Sequence, residues 1–202
     1  MTNQGKAPRL MPIYTRKSEL SGPIGDLLLA ITDEWLLIAP KANPAMLEMF
    51  ADRDHPPYRN LLPWSGEFAG KYLTSAVQVW RVTRSPGLKA WLDEFVSRLI
   101  QLQDDDGYLG PWPKDARLTN FSAHHGQDGL YTWDTWGHYH LMIGLMFWYE
   151  ETGDNQALEC ICRIADLICR KYLGDVQVRL VDTGYTEMNL APAHALARLH
   201  RL

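Results

Sequence analysis

The sequence predicts an all-α chain, an incomplete α/α toroid of helical hairpins. Three observations carry the prediction. Apolar residues recur at helical spacing in several long stretches. The helix-closing segment Trp80-Arg81-Val82-Thr83-Arg84-Ser85 has a counterpart 69 residues later in Tyr149-Glu150-Glu151-Thr152-Gly153-Asp154, and a third copy starts at Arg198-Leu199-His200-Arg201-Leu202. Short turns join the helices on one side and long loops join them on the other. Self-similar helix pairs bury their apolar faces against neighbouring pairs. A series that stops on an unpaired helix is therefore expected to be truncated, and to hold only part of an active site.

Each element follows from local signals. Residues 1–19 are polar and contain prolines, and are expected to form an extended arm. Residues 24–38 show helical spacing after Gly22-Pro23, with Pro40 and Pro44 expected to break the helix. Residues 46–50 add a further turn. The consecutive prolines of Asp54-His55-Pro56-Pro57-Tyr58 make 52–63 a loop. Phe68, Tyr72, Ala76, Val79 and Trp80 place a helix over 64–83. Ser85-Pro86, a polar cap followed by proline, opens the next helix, which runs to about residue 103. Asp104 to Gly110 is a turn-rich segment, and an irregular stretch follows to about 129. Residues 131–152 and 155–173 form the next pair, with Gly153 as the stop. Residues 176–181 suit a short strand. Residues 186–202 form the last helix, kinked at Pro192, and without a partner it would turn Leu190, Leu196, Leu199 and Leu202 to water. No linker interrupts residues 20–202, which read as one domain.

Composition narrows the function classes. The 202 residues are 46% hydrophobic and 22% charged, ample for a single core in one sizeable domain. The net charge is −4, with no basic run and no phosphate-binding glycine loop, which argues against nucleic acid as a partner. No stretch reaches the roughly 18–20 apolar residues of a membrane span. The N-terminus lacks a signal-like apolar segment, so a cytoplasmic location is expected. Cys160, Cys162 and Cys169 fall in one helix. About 10 Å of rise separates the last two, too far for a disulfide, and buried structural thiols are expected. Eight Trp and nine Tyr suit either helical cores or sugar-binding clefts.

Chemistry concentrates in Trp133-Asp134-Thr135-Trp136-Gly137-His138-Tyr139-His140. Asp134 and His138 share one helix face, and Trp136 and His140 share another. The two histidines diverge by about 200°, which makes them a poor metal chelate on a helix. Asp134 reads as a residue favoured at a helix start. His140 is either a buried ring or an inner-face group that hydrogen-bonds a polar ligand. Glu67 and Lys71 precede Trp136 and His140 by 69 residues, and their i, i+4 spacing reads as a solvated pair. The third repeat offers Tyr185, Glu187 and Asn189. Asp104-Asp105-Asp106 lacks the spacing of a calcium loop and reads as a solvated turn. His124-His125 reads as a surface pair or as part of the toroid's mouth. No Ser-His-Asp arrangement, nucleophile elbow or Walker motif is present.

Four segments together resemble glycoside hydrolase family 127, the β-L-arabinofuranosidase-like family. They are Trp64-Ser65-Gly66-Glu67-Phe68-Ala69-Gly70-Lys71, Gln103 to Gly110, Gly137-His138-Tyr139-His140 with Tyr149 to Gly153, and Gly184-Tyr185-Thr186-Glu187-Met188-Asn189-Leu190-Ala191. They occur in order from about residue 20 to the end, over roughly the first third of a family member. The resemblance implies an α/α six-barrel followed by β-sandwich domains, and cleavage of terminal L-arabinofuranosides or related sugars from plant-type glycans. It also implies a cysteine nucleophile held on zinc by cysteines and a glutamate, with a separate glutamate as acid/base. Most glycosidases use two carboxylates instead; zinc would keep the thiolate ionised. Those groups lie in later barrel helices, so zinc is expected only in a full-length form, and this chain has no assigned catalytic residue.

What the resemblance carries over is substrate contact, at His140, Tyr185, Glu187, Glu67 and Trp136. Tyr185 stands where the family's Gly-His-Pro-Glu segment has histidine, which points to a subgroup with another sugar. The leading expectation is a fragment of a glycosidase without hydrolytic activity of its own. A non-catalytic glycan-binding half-toroid and a sugar isomerase or epimerase on a related toroid are the alternatives, the last needing a second facing histidine. Carbohydrate is the expected ligand, and self-association through the unpaired last helix is expected.

Overall fold

The structure, a computed structural model, describes residues 20–175 and 178–202. The expected arm over 1–19 lies outside them. Helices dominate: α1 (Gly22–Ile31), α2 (Ala39–Ala42), α3 (Ala45–Ala51), α4 (Phe68–Thr83), α5 (Pro86–Gln101), α6 (Asp134–Thr152), α7 (Asn155–Tyr172), α8 (Thr186–Asn189) and α9 (Pro192–Leu199). A two-residue hairpin, β1 (Phe121–Ser122) against β2 (Leu130–Tyr131), is the small sheet among the described residues.

Two helical hairpins, α4–α5 and α6–α7, stand side by side. Helices α1, α4, α6 and α9 form an inner row in which successive members touch, while α5 and α7 form an outer row. This is an arc of an α/α toroid. Helix α6 sits at its centre, covered by α4, α7, α8 and α9. That position explains its composition. Leu141, Met142, Ile143, Leu145, Met146 and Trp148 bury residues around the whole circumference, as expected for a helix apolar all round.

The 69-residue repeat appears hydrogen bond by hydrogen bond. Helix α4 ends on Arg84 (φ 51°), whose N–H donates to the Trp80 carbonyl at 2.8 Å; α6 ends on Gly153 (φ 71°), whose N–H donates to the Tyr149 carbonyl at 2.7 Å. The next residue caps the outgoing helix in both copies. Ser85 Oγ accepts from the Leu88 N–H, and Asp154 Oδ1 accepts from the Gln156 and Ala157 N–H groups. Side-chain caps of this kind satisfy donors that the first helical turn leaves open.

Several boundaries differ from expectation. The helix over 24–38 is interrupted by a π-helical turn, Thr32–Leu36, beside which Thr32 Oγ1 donates to the Leu28 carbonyl. Pro40 opens α2 rather than breaking a helix, because its missing donor is not needed in a first turn. Residues 178–181 form no strand; Leu180–Asp182 is a 3-10 turn, and 176–177 lie outside the described residues. The last helix is two pieces, α8 and α9, separated at Leu190-Ala191 just before Pro192. Leu190 and Leu202 are exposed, whereas Leu196 and Leu199 pack against the core. Of the three cysteines only Cys160 is buried; Cys162 is exposed and Cys169 half-buried.

The α5–α6 loop is pinned by polar groups. Arg117, 8% exposed, reaches Asp54, Asp104 and Asp106 at 2.6, 2.8 and 3.0 Å. Asp104 and Asp106 of the expected solvated turn are therefore ion-paired. Tyr108 Oη donates to the Asp134 carboxylate, which also accepts the Leu118 N–H at 2.8 Å. His138 Nε2 accepts from the Leu109 N–H, which fixes the proton on Nδ1, where it donates to the Asp134 carbonyl.

Helices α4 and α6 cross through glycine. A Cβ on Gly70 would lie 2.3 Å from the His140 carbonyl carbon, and one on Gly144 would lie 2.9 Å from the Gly70 oxygen. Gly70→Ala is therefore expected to separate the two helices and cost about 2 kcal/mol. Gly153→Ala, with open space but a positive φ, should cost about 1 kcal/mol. Urea unfolding of both variants checks the order; equal midpoints would contradict close packing at Gly70.

Candidate functional site

The glycine crossing brings the two members of the repeat together. Glu67, in the 3-10 turn before α4, is 6% exposed. Its Oε1 pairs with Lys71 Nζ at 2.7 Å, and its Oε2 accepts from Trp136 Nε1 on α6. The expected solvated Glu67–Lys71 pair is thus buried at its carboxylate end, because α6 covers it. Lys71 Nζ lies 5.6 Å from the Trp136 ring centre. The His140 ring meets the Trp136 ring edge-on at 4.5 Å, and Tyr139 stacks on Trp136 at 5.5 Å and 27°.

His140 Nε2 is buried and has no hydrogen-bond partner. Burial, then the Lys71 charge, push the His140 ring down to about 4, against a smaller opposing pull from Glu67. The imidazole is neutral at physiological pH. Its bare nitrogen can donate or accept according to tautomer, and a sugar hydroxyl matches either role. His138 has no such freedom, since both its nitrogens are used by Asp134 and Leu109.

The remaining residues predicted from sequence stand apart. Tyr185 is half-exposed at φ 51° and meets Trp133 at 5.9 Å and Tyr131 at 6.3 Å. Glu187 is exposed on α8. Among the described residues no hydrogen bond or ring contact joins either of them to Trp136. They are tied to it through the buried Asn189, whose Oδ1 accepts from the Trp136 N–H and Thr135 Oγ1 and whose Nδ2 donates to the Gly184 and Thr132 carbonyls. His124 and His125 part company: His124 pairs with Asp115 at 2.6 Å, and His125 is buried against Ser122. Sequence reasoning passed over Trp64 and Trp133, whose rings lie 5.3 Å apart. They are themselves 69 residues apart, so the repeat register would have found them.

Zinc finds no fit. Among the described residues no group of three or more His, Cys, Asp or Glu converges to hold a metal ion. Burial pushes the Cys160 thiol up to about 12, opposite to what a thiolate ligand needs. No helix among the described residues is long and apolar enough to cross a membrane.

The neutral His140 gives a pH signature. A base whose folded-state pKa is depressed adds stability above its unfolded value and loses it as pH falls through the folded value. Stability should therefore decline between pH 6.5 and about 4. That decline should be shallower in His140→Gln, and thermal melts across the range measure it; identical slopes would remove the burial argument.

Comparison with known proteins agrees with this architecture. The sequence model described as β-L-arabinofuranosidase, GH127 catalytic domain, matches residues 32–202. A solved GH127 β-arabinofuranosidase shares the fold at 17% identity and a TM-score of 0.61, over 82% of this chain and 27% of its own. A GH127 β-L-arabinofuranosidase from Geobacillus stearothermophilus T6 does so at 21% identity and a TM-score of 0.60, over 86% of this chain and 28% of its own. The chain thus spans about a quarter of the length of these structures. No curated protein matches it. On the match over 32–202, the chain belongs to the GH127 family of β-L-arabinofuranosidase catalytic domains.

Proposed function

We propose that this chain supplies the sugar-contacting part of a GH127 glycosidase barrel, binding a terminal L-arabinofuranose or related sugar of a plant-type glycan at Trp136, His140 and Glu67. One observation carries the reading: the bare, buried His140 Nε2 stands beside the Trp136 ring and the Glu67–Lys71 pair. Sugar rings combine an apolar face with hydroxyls, and this cluster pairs an aromatic ring with one buried polar nitrogen whose hydrogen bond is unused. Tyr185, in the position where the family has histidine, and Glu187 sit on the neighbouring segment and bias which sugar is accepted.

The 202-residue chain binds without hydrolysing. A retaining glycosidase needs a nucleophile and an acid/base facing each other across the sugar. Glu67 is committed to Lys71 and Trp136, and Asp134 to Tyr108 and Leu118. Titration with methyl β-L-arabinofuranoside should quench Trp fluorescence in the wild type. His140→Ala and Trp136→Ala should weaken binding by about tenfold or more, the equivalent of one lost hydrogen bond to a buried partner. Release of arabinose by the purified chain would overturn the non-catalytic assignment, and unchanged binding in both variants would overturn the site.

The exposed apolar residues of α1 and its extension, Ile24, Leu27, Leu29 and Trp35, together with Leu190 and Leu202, support self-association of the isolated chain. Light scattering should give a mass above 23.1 kDa; a single monomer peak at micromolar concentration would refute this.

A further inference from the structure

Three rings on one face of α6 form a closed triangle. Trp136, Tyr139 and His140 are spaced i, i+3 and i+4, which puts them side by side on a helix. Tyr139 stacks on Trp136 at 5.5 Å and 27° and meets His140 at 4.9 Å and 67°, while His140 meets Trp136 at 4.5 Å and 87°. Tyr139 also reaches α9: its Oη lies 3.3 Å from His194 Nδ1, and the two rings are 5.8 Å apart. We propose that Tyr139 and His194 are positioning residues of the sugar site, with α9 holding Tyr139 through His194 and Tyr139 holding Trp136 and His140 in the geometry that offers His140 Nε2 to a hydroxyl. The inference rests on the reading above.

His140 needs such support. Its Nε2 makes no hydrogen bond, so that end of the imidazole is oriented by packing. The second side-chain torsion of histidine is soft, and rotation about it would carry Nε2 away from the Trp136 ring and the Glu67–Lys71 pair. Trp136 is itself fixed, because its Nε1 donates to Glu67. Tyr139 is the second neighbour. Two rings that meet the imidazole at steep angles restrict its rotation.

Tyr139 in turn has an anchor outside α6. Helix α9 is set firmly against the core: Ala195 is fully buried, Leu196 and Leu199 pack on the core cluster, and Arg198 pairs with Glu150 of α6 at 2.6 Å. His194 sits in the first turn of α9, at the exposed edge of that buried face. With its hydroxyl on α9 and its ring face on Trp136, Tyr139 is held at both ends.

The site so described draws on three inner helices. Glu67 and Lys71 come from α4 and the turn before it, the three rings from α6, and the anchor from α9. His194 is exposed and belongs to a different helix from His140, so its removal alters the site without leaving a cavity in the core.

The test measures binding of methyl β-L-arabinofuranoside to the 202-residue chain by Trp fluorescence, alongside thermal melts. His194→Ala should weaken binding roughly three- to tenfold, the equivalent of one neutral hydrogen bond. It should leave the melting midpoint unchanged, as at other exposed positions. Tyr139→Phe should do the same. His194→Asn, whose side-chain amide takes the place of Nδ1, should restore binding to within about twofold of wild type. The double variant His194→Ala/Tyr139→Phe should bind as each single variant does, because both cut one link. Unchanged binding in His194→Ala, a loss that His194→Asn does not restore, losses that add in the double variant, or a loss matched by a lower melting midpoint would each overturn the positioning role while leaving the Trp136–His140 site standing. A wild type silent toward the probe would remove that site, and the positioning role is then decided by 15N NMR. His194→Ala should shift the Trp136 indole and His140 ring signals, and unmoved signals would overturn it.

Discussion

The close crossing of α4 and α6 is the constraint on which the candidate site depends. Gly66 and Gly70 face Gly137, His140 and Gly144 so tightly that backbone meets backbone. Interaxial distance follows the size of the contacting side chains, and here there are almost none. The consequence is chemical as well as structural. Glu67 and Trp136 come from two helices and still share a hydrogen bond, and the carboxylate is sealed while its Lys71 partner stays half open. With a larger residue at Gly70 the two helices would stand farther apart, and water would reach Glu67. The apolar character of α6 serves the same end, since only a helix covered on all sides leaves its first turns rigid enough to present Trp136 and His140.

Two buried polar centres then fix the loops around that crossing. Asp134 gathers Tyr108, Leu118 and, through its carbonyl, His138, tying the α5–α6 loop to the start of α6. Asn120 and Asn189, both without exposed surface, meet at the Thr135 hydroxyl and tie the β1 region and α8 to the same turn. Buried polar groups are costly unless every atom is satisfied. The amides of Asn120 and Asn189 and the Asp134 carboxylate are satisfied, whereas a few residues away His140 Nε2, like Trp133 Nε1, is buried without a partner.

Much of this was legible in the sequence, and the reason is periodicity. The 69-residue register predicted which helices pair and that Glu67 and Lys71 correspond to Trp136 and His140; the cap at Ser85 and the stop at Gly153 were read from local signals. Helix periodicity, not the register, predicted that His138 and His140 diverge. What it did not predict came from tertiary contact. Nothing local distinguishes a solvated Glu67–Lys71 pair from one covered by a neighbouring helix. The π-helical turn at Thr32–Leu36 packs against α1 and α4, whereas Pro40 in a first turn follows from local helix-start chemistry and the break between α8 and α9 falls at the kink expected before Pro192. The Trp64–Trp133 contact was available from the register but not from composition, in which eight tryptophans look like core.

The electrostatics of the cluster point to the class of ligand. Glu67 and Lys71 cancel one another, and His140 is held neutral, first by burial and then by the ammonium of Lys71. A site meant for an anion would leave a cation unpaired, and one meant for a cation would leave Glu67 open. Here the charges are spent inside the protein, and around them lie a half-buried aromatic ring, a buried, uncommitted imidazole nitrogen and the half-exposed end of an ion pair. That combination discriminates poorly by charge and well by the placement of hydroxyls, because a buried polar atom left unmatched costs about 1–3 kcal/mol. A neutral sugar that puts a hydroxyl on His140 Nε2 gains that amount over one that does not. On the proposed reading, selectivity among sugars would then arise largely from hydroxyl stereochemistry at a single nitrogen.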